Sequence, residues 1–280
     1  MLYIVATPIG NLDDISFRAV DTLKSVDLIA AEDTRHTVRL LNHFNIKTPL
    51  TSYHEHNRAT KGVQLIEKLK NGANIALVSD AGMPGISDPG EDLVQLCVEN
   101  NVEFTVIPGP SAFVNALVMS GMSTSSFVFE GFLGVKKSEK IKKLSEYKHD
   151  TRTLILYEAP HKLLKTLGCI HEVLGERQIA LCRELTKKYE EVQRLTAAQA
   201  IEHYTANEPR GEFVLVIEGG MPNEVCYTTD ITEHVDELIQ NGTDKKDAIA
   251  QVAKLRGVSK RDVYNKYHLQ DIPIIAGTAL

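Results

Sequence analysis

Short apolar runs alternate with amphipathic stretches through most of the chain, the pattern of strands buried on both faces and separated by helices. The clearest run, Ile75-Ala76-Leu77-Val78, gives way to S-D-A-G-M-P-G-I-S-D-P-G from Ser79 to Gly90, and then to helical periodicity from Glu91 to Glu99. In that strand-to-helix loop Gly82, Gly85 and Gly90 permit positive φ and close backbone approach, while Pro84 and Pro89 stiffen it. A loop of this make-up at the carboxyl end of a parallel strand reads as a ligand cradle. Upstream, Leu2–Ala6 and Asp27–Ala31 predict strands, with helices from Asp13 to Leu23, from His36 to Phe44 and across Gly62 to Leu69. The second of these strands runs straight into Glu32-Asp33-Thr34-Arg35, an unusual charged end for a buried strand. Downstream, a strand over Glu103–Ile107, the turn Pro108-Gly109-Pro110-Ser111-Ala112, an apolar helix Phe113–Met119 and a strand Phe127–Phe132 close a first half that alternates as a parallel sheet requires.

The basic stretch Lys136–Asp150 predicts a linker helix. Strands follow at Thr153–Tyr157, Gln178–Cys182, Glu191–Leu195 and Glu212–Glu218, with helices running to Leu174 and over Ala197–Tyr204. After breaks at Gly219, Gly220 and Pro222, the tail Thr232–His268 reads as helical, Val258 and Ser259 joining two helices. The expected fold class is α/β, with two α/β domains, a ligand cleft between them and a small C-terminal helical extension. The expected boundaries are an N-terminal domain over 1–133, a basic linker helix over 134–152, a C-terminal domain over 153–221 and a helical basic tail over 230–270.

Composition narrows the class. With 43% hydrophobic and 24% charged residues the chain is globular rather than disordered. No apolar run reaches the roughly 20 residues of a membrane span and no basic segment precedes the first strand, so a cytosolic protein with no membrane partner is expected. Cys97, Cys169, Cys182 and Cys226 make no C-x-x-C pair and sit in apolar patterns, which predicts buried free thiols. A net charge of −6 argues against nonspecific coating of nucleic acid. Two local basic segments, Lys136–Lys148 and Lys245–Lys266, each read alone as a solvated helix face; together they make an anionic partner plausible.

Several chemistries find no support. The first strand is not followed by G-x-G-x-x-G, and the chain holds neither a G-x-x-x-x-G-K-[ST] phosphate loop nor a G-x-S-x-G elbow. His54-Glu55-His56 lacks the spacing that puts two imidazoles on one helical face, and no metal is expected. What remains are strand-end loops rich in Gly and Pro in both halves, an arrangement suited to a folded ligand held by backbone groups in an interdomain cleft.

T-P-I-G-N-L from Thr7, A-E-D-T-R from Ala31, the Ser79–Gly90 loop, P-G-P-S-A from Pro108, E-G-F-L from Glu130, Y-E-A-P-H from Tyr157 and R-E-L-T-K from Arg183 occur in that order. In register they resemble the tetrapyrrole-methylase-type (class III) methyltransferases, specifically the bacterial small-subunit rRNA 2′-O-methyltransferase I branch. Ala81 stands where the wider family usually has proline, and Gly134 follows Leu133 where the branch usually has proline. The resemblance implies S-adenosylmethionine bound between the domains, held by Pro8, Asp80, Ala81, Pro84, Ser111, Ala112, Glu158 and Leu185. It also implies 2′-O-methylation of a decoding-centre cytidine in the 16S rRNA of the small ribosomal subunit, and a homodimer. A ribose hydroxyl is a poor nucleophile, so a base or a nearby cation is needed. The strand-end clusters Glu32, Asp33, Arg35 and Arg183, Glu184, Lys187 are the candidates, with Asp33 as base or orienter and Lys187 as stabiliser of the oxyanion preferred. A tetrapyrrole or other small-molecule acceptor, and a non-catalytic RNA-binding assembly factor, are the competing readings.

Overall fold

The computed structural model describes residues 1–221 and 229–268. The chain forms two compact units, Met1–Pro222 and Asn223–Leu280. The first holds β1 (Leu2–Val5), α1 (Phe17–Ser25), β2 (Leu28–Ala31), α2 (Thr34–His43), β3 (Leu50–Ser52), α3 (Arg58–Lys70), β4 (Ile75–Val78), α4 (Gly90–Glu99), β5 (Phe104–Ile107) and α5 (Ala112–Ser120). It continues with β6 (Phe127–Phe132), α6 (Lys137–Glu146), β7 (Thr153–Glu158), α7 (Pro160–Leu174), β8 (Gln178–Arg183), β9 (Glu191–Thr196), α8 (Ala197–Ala206) and β10 (Phe213–Ile217).

Its strands make two sheets. The first, in the order β3-β2-β4-β1-β5, is entirely parallel and carries apolar clusters on both faces, Leu2, Ile75 and Leu93 on one, Val5, Ile29 and Val78 on the other. Burial on both faces is why its central strands read as unbroken apolar runs. The second sheet, β6-β7-β10-β8-β9, is mixed, with β10 antiparallel to both neighbours.

Two expectations need correction. Strand Phe127–Phe132 does not close the first sheet; it pairs in parallel with β7 and forms an edge of the second. The helix between them is therefore the crossover of a βαβ unit, not a linker, and packs against α7. Strand–helix alternation fixes the elements but not the sheet that each strand joins. The chain in fact changes sheets before α5, whose Ala116 and Leu117 pack with Ile155, Ala180 and Val216 of the second sheet and with Ile9 from the loop after β1.

The second unit contains α9 (Ile231–Gln240), α10 (Lys245–Arg256) and α11 (Lys260–His268) around Val235, Ile249, Val252 and Val263. Gly257, in the left-handed conformation at φ 63°, ends α10, and the turn through Val258 and Ser259 starts α11. Among the described residues no helix is long and apolar enough to cross a membrane. Cys97, Cys169 and Cys182 are buried free thiols, while Cys226 lies outside the described residues.

Candidate active site

Asp88 folds the central loop back on itself, its Oδ1 accepting from the N–H of Gly85 at 2.8 Å and of Gly90 at 2.7 Å. A Cβ on residue 90 would lie 2.7 Å from both Asp88 Oδ1 and the Gly85 nitrogen, so only glycine fits. Thr7 and Gly82 exchange backbone hydrogen bonds of 2.9 and 3.0 Å, which fastens the loop after β1 to the central one.

The loop after β8 approaches from the second sheet. Glu184 and Thr186 both hold positive φ, 50° and 63°, at a cost of about 1–3 kcal/mol each. Glu184 Oε1 secures the turn by accepting from Lys187 Nζ at 3.1 Å and from the Glu212 N–H at 3.0 Å. Thr186 Oγ1 accepts from the Asn11 N–H at 3.0 Å, a direct link to the first sheet's loops. Gly10 lies beneath this turn, where a Cβ would stand 2.4 Å from Lys187 Cγ and 2.9 Å from the Leu185 carbonyl.

These loops enclose a cavity of about 460 Å³, a volume typical of small-molecule sites. Asp80, Ala81, Ser111, Ala112, Glu158 and Leu185 line it, together with apolar Ile9, Met83, Ile86, Phe132, Tyr157 and Val214. Pro8 lines instead a neighbouring cavity of about 470 Å³, and Pro84 is buried and lines neither. Phe132 and Tyr157 lie within the E-G-F-L and Y-E-A-P-H motifs but are not among the contacts that the resemblance implies, and Val214 reads as an ordinary strand residue.

The polar groups divide into committed and uncommitted. The Ser111 hydroxyl makes no capping bond to α5, although the residue occupies the N-cap position. It therefore stands at the wall with the partnerless first-turn N–H groups of the helix. Glu158, by contrast, is 4% exposed and fully engaged: Lys140 Nζ lies 2.9 Å from Oε2, the Thr166 hydroxyl donates to the same oxygen, and the Ala159 N–H donates to Oε1 at 3.0 Å.

Asp33 Oδ1 caps α2 by accepting from the Arg35 N–H at 2.8 Å, and its carboxylate also holds the Arg35 guanidinium, Nη2 to Oδ2 at 2.7 Å. These bonds, the guanidinium's first, hold the Asp33 carboxyl far below the usual range. Asp33 and Arg35 line neither cavity, and the Arg35 side chain is 90% exposed. Asp80 Oδ1 accepts from the Asp33 N–H at 3.0 Å and belongs to the walls of both cavities. Glu32 lines the first cavity, and burial, then the charge of Asp80, push its carboxyl above the ordinary value. Lys187 lines the second; burial pulls its ammonium down, but the bonds to Glu212 at 2.8 Å and Glu184 outweigh this and hold it above its ordinary value. It is a charged group at neutral pH.

The basic helix α6 also looks different in three dimensions. Lys140 is buried on Glu158, Lys137 pairs with Glu172, Lys143 with Glu130 and Glu146, and Lys136 with Glu139. Among the described residues no group of His, Cys, Asp and Glu is arranged to hold a metal.

Residues 1–201 match the family described as tetrapyrrole (corrin/porphyrin) methylases. A Bacillus subtilis protein named ribosomal RNA small subunit methyltransferase I is 49% identical over 96% of this chain and 94% of its own, and a Halalkalibacterium halodurans protein of the same name is 50% identical over 95% and 94%. A crystal structure of diphthine synthase, 13% identical, superposes with a TM-score of 0.61 over 78% of this chain and 89% of that one, a likeness of fold alone. The chain belongs to the tetrapyrrole methylase family of methyltransferases, in the group of the ribosomal RNA small subunit methyltransferase I proteins.

Proposed function

We propose that the protein transfers a methyl group from S-adenosylmethionine to the 2′-oxygen of a ribose, that of a decoding-centre cytidine, in the 16S rRNA of the small ribosomal subunit. The observation that carries this reading is the near-half identity over almost the whole chain with relatives so named, in a protein where six of the eight expected cofactor residues line one cavity. A ribosomal substrate puts the reaction in the cytoplasm.

The cavity suits the cofactor. Its apolar and aromatic wall accepts an adenine ring, and the unspent Ser111 hydroxyl with the N-terminus of α5 suits a carboxylate. Asp80, Ala81, Ala112 and Leu185 complete the contacts, Pro8 borders the neighbouring cavity next to Ile9, and Pro84 shapes the loop. The engaged carboxylate of Glu158 fixes the end of β7 and is spent on the fold.

S-adenosylmethionine supplies a methyl activated on a sulfonium, so the oxygen–carbon bond forms as the sulfur–carbon bond breaks and one hydroxyl proton is left for the protein. Glu32 takes that proton, Asp33 and Arg35 orient the segment that carries it, and Lys187 offsets charge developing on the oxygen. Positioning supplies most of the remaining rate.

The test is transfer of labelled methyl to small subunits lacking the modification, with digestion to locate the label. Label on one cytidine 2′-oxygen is the expected result. Bound cofactor without label on subunits or free rRNA would point to a small-molecule acceptor, and a protein that binds no cofactor would be an assembly factor.

The first unit also leaves apolar residues exposed along consecutive elements: Phe104 and Val106 on edge strand β5, Val114 and Val118 on α5, and Phe127 on edge strand β6. Unprotected edges with apolar side chains call for a cover. A second copy related by a two-fold axis provides it. Light scattering is expected to give twice the 31.0 kDa chain mass, and Val106→Lys with Val118→Lys to give 31.0 kDa. An unchanged mass in the double variant would remove this surface from the interface.

A further inference from the structure

The neighbouring cavity of about 470 Å³ shares Ile9, Ser79, Asp80, Ala81 and Glu212 with the cofactor cavity, so the two adjoin at these residues. Their linings differ in kind. The first carries Glu32, Asp80, Asp88, Glu158 and Glu212 and, among the described residues, no basic one, whereas the second adds His36, Arg39 and Lys187 to Asp80 and Glu212.

Arg39 and His36 belong to α2, whose sequence T-R-H-T-V-R-L-L-N-H holds no acidic residue in a chain of net charge −6. Among the described residues neither side chain makes an ion pair with an acid, in contrast to the lysines of α6 that are spent on Glu158, Glu172, Glu130 and Glu139. Two basic side chains beside a cavity, not tied up in ion pairs although Asp80 and Glu212 border the same space, are a seat for an anion. Its helix places Arg35, four residues before Arg39, on the same side at the exposed surface.

We propose that this second cavity seats the acceptor nucleotide, with Arg39 and His36 on its flanking phosphodiester and its ribose turned toward the shared residue Asp80. In-line transfer requires donor methyl and acceptor oxygen to face one another with no atom between them, and the place where the two cavities adjoin, at Asp80 and Ala81, is where this structure can meet that requirement. The assignment rests on the rRNA methyltransferase reading and names the residues that hold its substrate. It also moves the principal phosphate contact off α6, where Lys137, Lys140 and Lys143 are engaged in ion pairs.

The test uses the full-length protein, small subunits lacking the modification, and Arg39→Gln, an exposed change that leaves the core untouched. Subunit affinity is measured across a salt series, and cofactor affinity separately by calorimetry. Loss of one phosphate contact is expected to weaken subunit binding about tenfold and to lower the salt slope by about one. Cofactor affinity is expected to stay at the wild-type value, because Arg39 lines only the second cavity. His36→Gln should weaken subunit binding in the same sense. Wild-type labelling of subunits with unchanged affinity and salt slope in Arg39→Gln would overturn the assignment alone. Wild-type protein that binds cofactor but neither binds nor labels subunits would overturn the rRNA reading and this assignment with it.

Discussion

Lys140→Met is expected to lower the unfolding free energy of the first unit by about 3–5 kcal/mol, the cost of stranding one member of a buried ion pair. The Lys140 and Glu158 side chains are 1% and 3% exposed, and the ammonium of one lies 2.9 Å from a carboxylate oxygen of the other. Methionine keeps the length and apolar stem of lysine, so the loss isolates the charge rather than a cavity. Glu158 then keeps only the Thr166 hydroxyl and the Ala159 N–H, in a place that water does not reach. For a unit of this size the shift in melting temperature is about 10 °C. The double variant Lys140→Met, Glu158→Leu removes both charges and is expected to recover most of the loss. Chemical denaturation of the three proteins measures it; a double variant no better than the single would mean that the pair is not the source of the effect. The same experiment reports on the site, because Glu158 ends the strand that carries Tyr157 into the cofactor cavity.

The physics of this pair also shows why parts of the fold were legible in the sequence and others were not. Strands buried on both faces announce themselves as apolar runs, and the loop Ser79–Gly90 announces its closeness of approach through glycines that nothing else could replace. Sheet membership is a non-local property. Phe127–Phe132 carries the same local pattern whichever sheet it joins, and its parallel pairing with β7 across α6 appears only in three dimensions. Charge is non-local too. Lys137, Lys140 and Lys143 of α6 look like part of an RNA-binding face in sequence because Glu172, Glu158 and Glu130, which pair with them, come from other elements. The same logic hid α2: its basic residues are unremarkable along the chain, and His36 and Arg39 matter because they border a cavity and, among the described residues, are not engaged in ion pairs. The glutamate at position 32 stood in the charged cluster at the end of β2, but the choice between it and its neighbour depended on which carboxylate Arg35 claims.

Glu32→Gln is expected to reduce single-turnover methyl transfer by about 10²–10⁴-fold, the usual contribution of a positioned general base. Asp33 is the poorer proton acceptor, because the Arg35 guanidinium and N–H hold it ionised far below the usual range. Glu32 is partly buried in the cavity wall, and burial, then Asp80, Asp88 and Asp33, raise its pKa toward the range where a base is useful. The wild-type rate should fall as pH drops through that raised value, and the Glu32→Gln rate should be flat over the same interval. Stability moves the opposite way. A carboxyl with a folded pKa above its unfolded one binds more protons when folded, so its charge costs stability at neutral pH and that cost disappears as pH falls through the folded pKa. Glu32→Gln is therefore expected to melt higher than wild type at pH 7 and to lose this advantage below the ordinary carboxylate range. Asp33→Asn preserves an N-cap of similar quality and should leave most of the rate. A variant that is slower and yet more stable has lost a group retained for chemistry; should Asp33→Asn be the slow one instead, the proton goes to Asp33 and the bond to Arg35 must open during turnover.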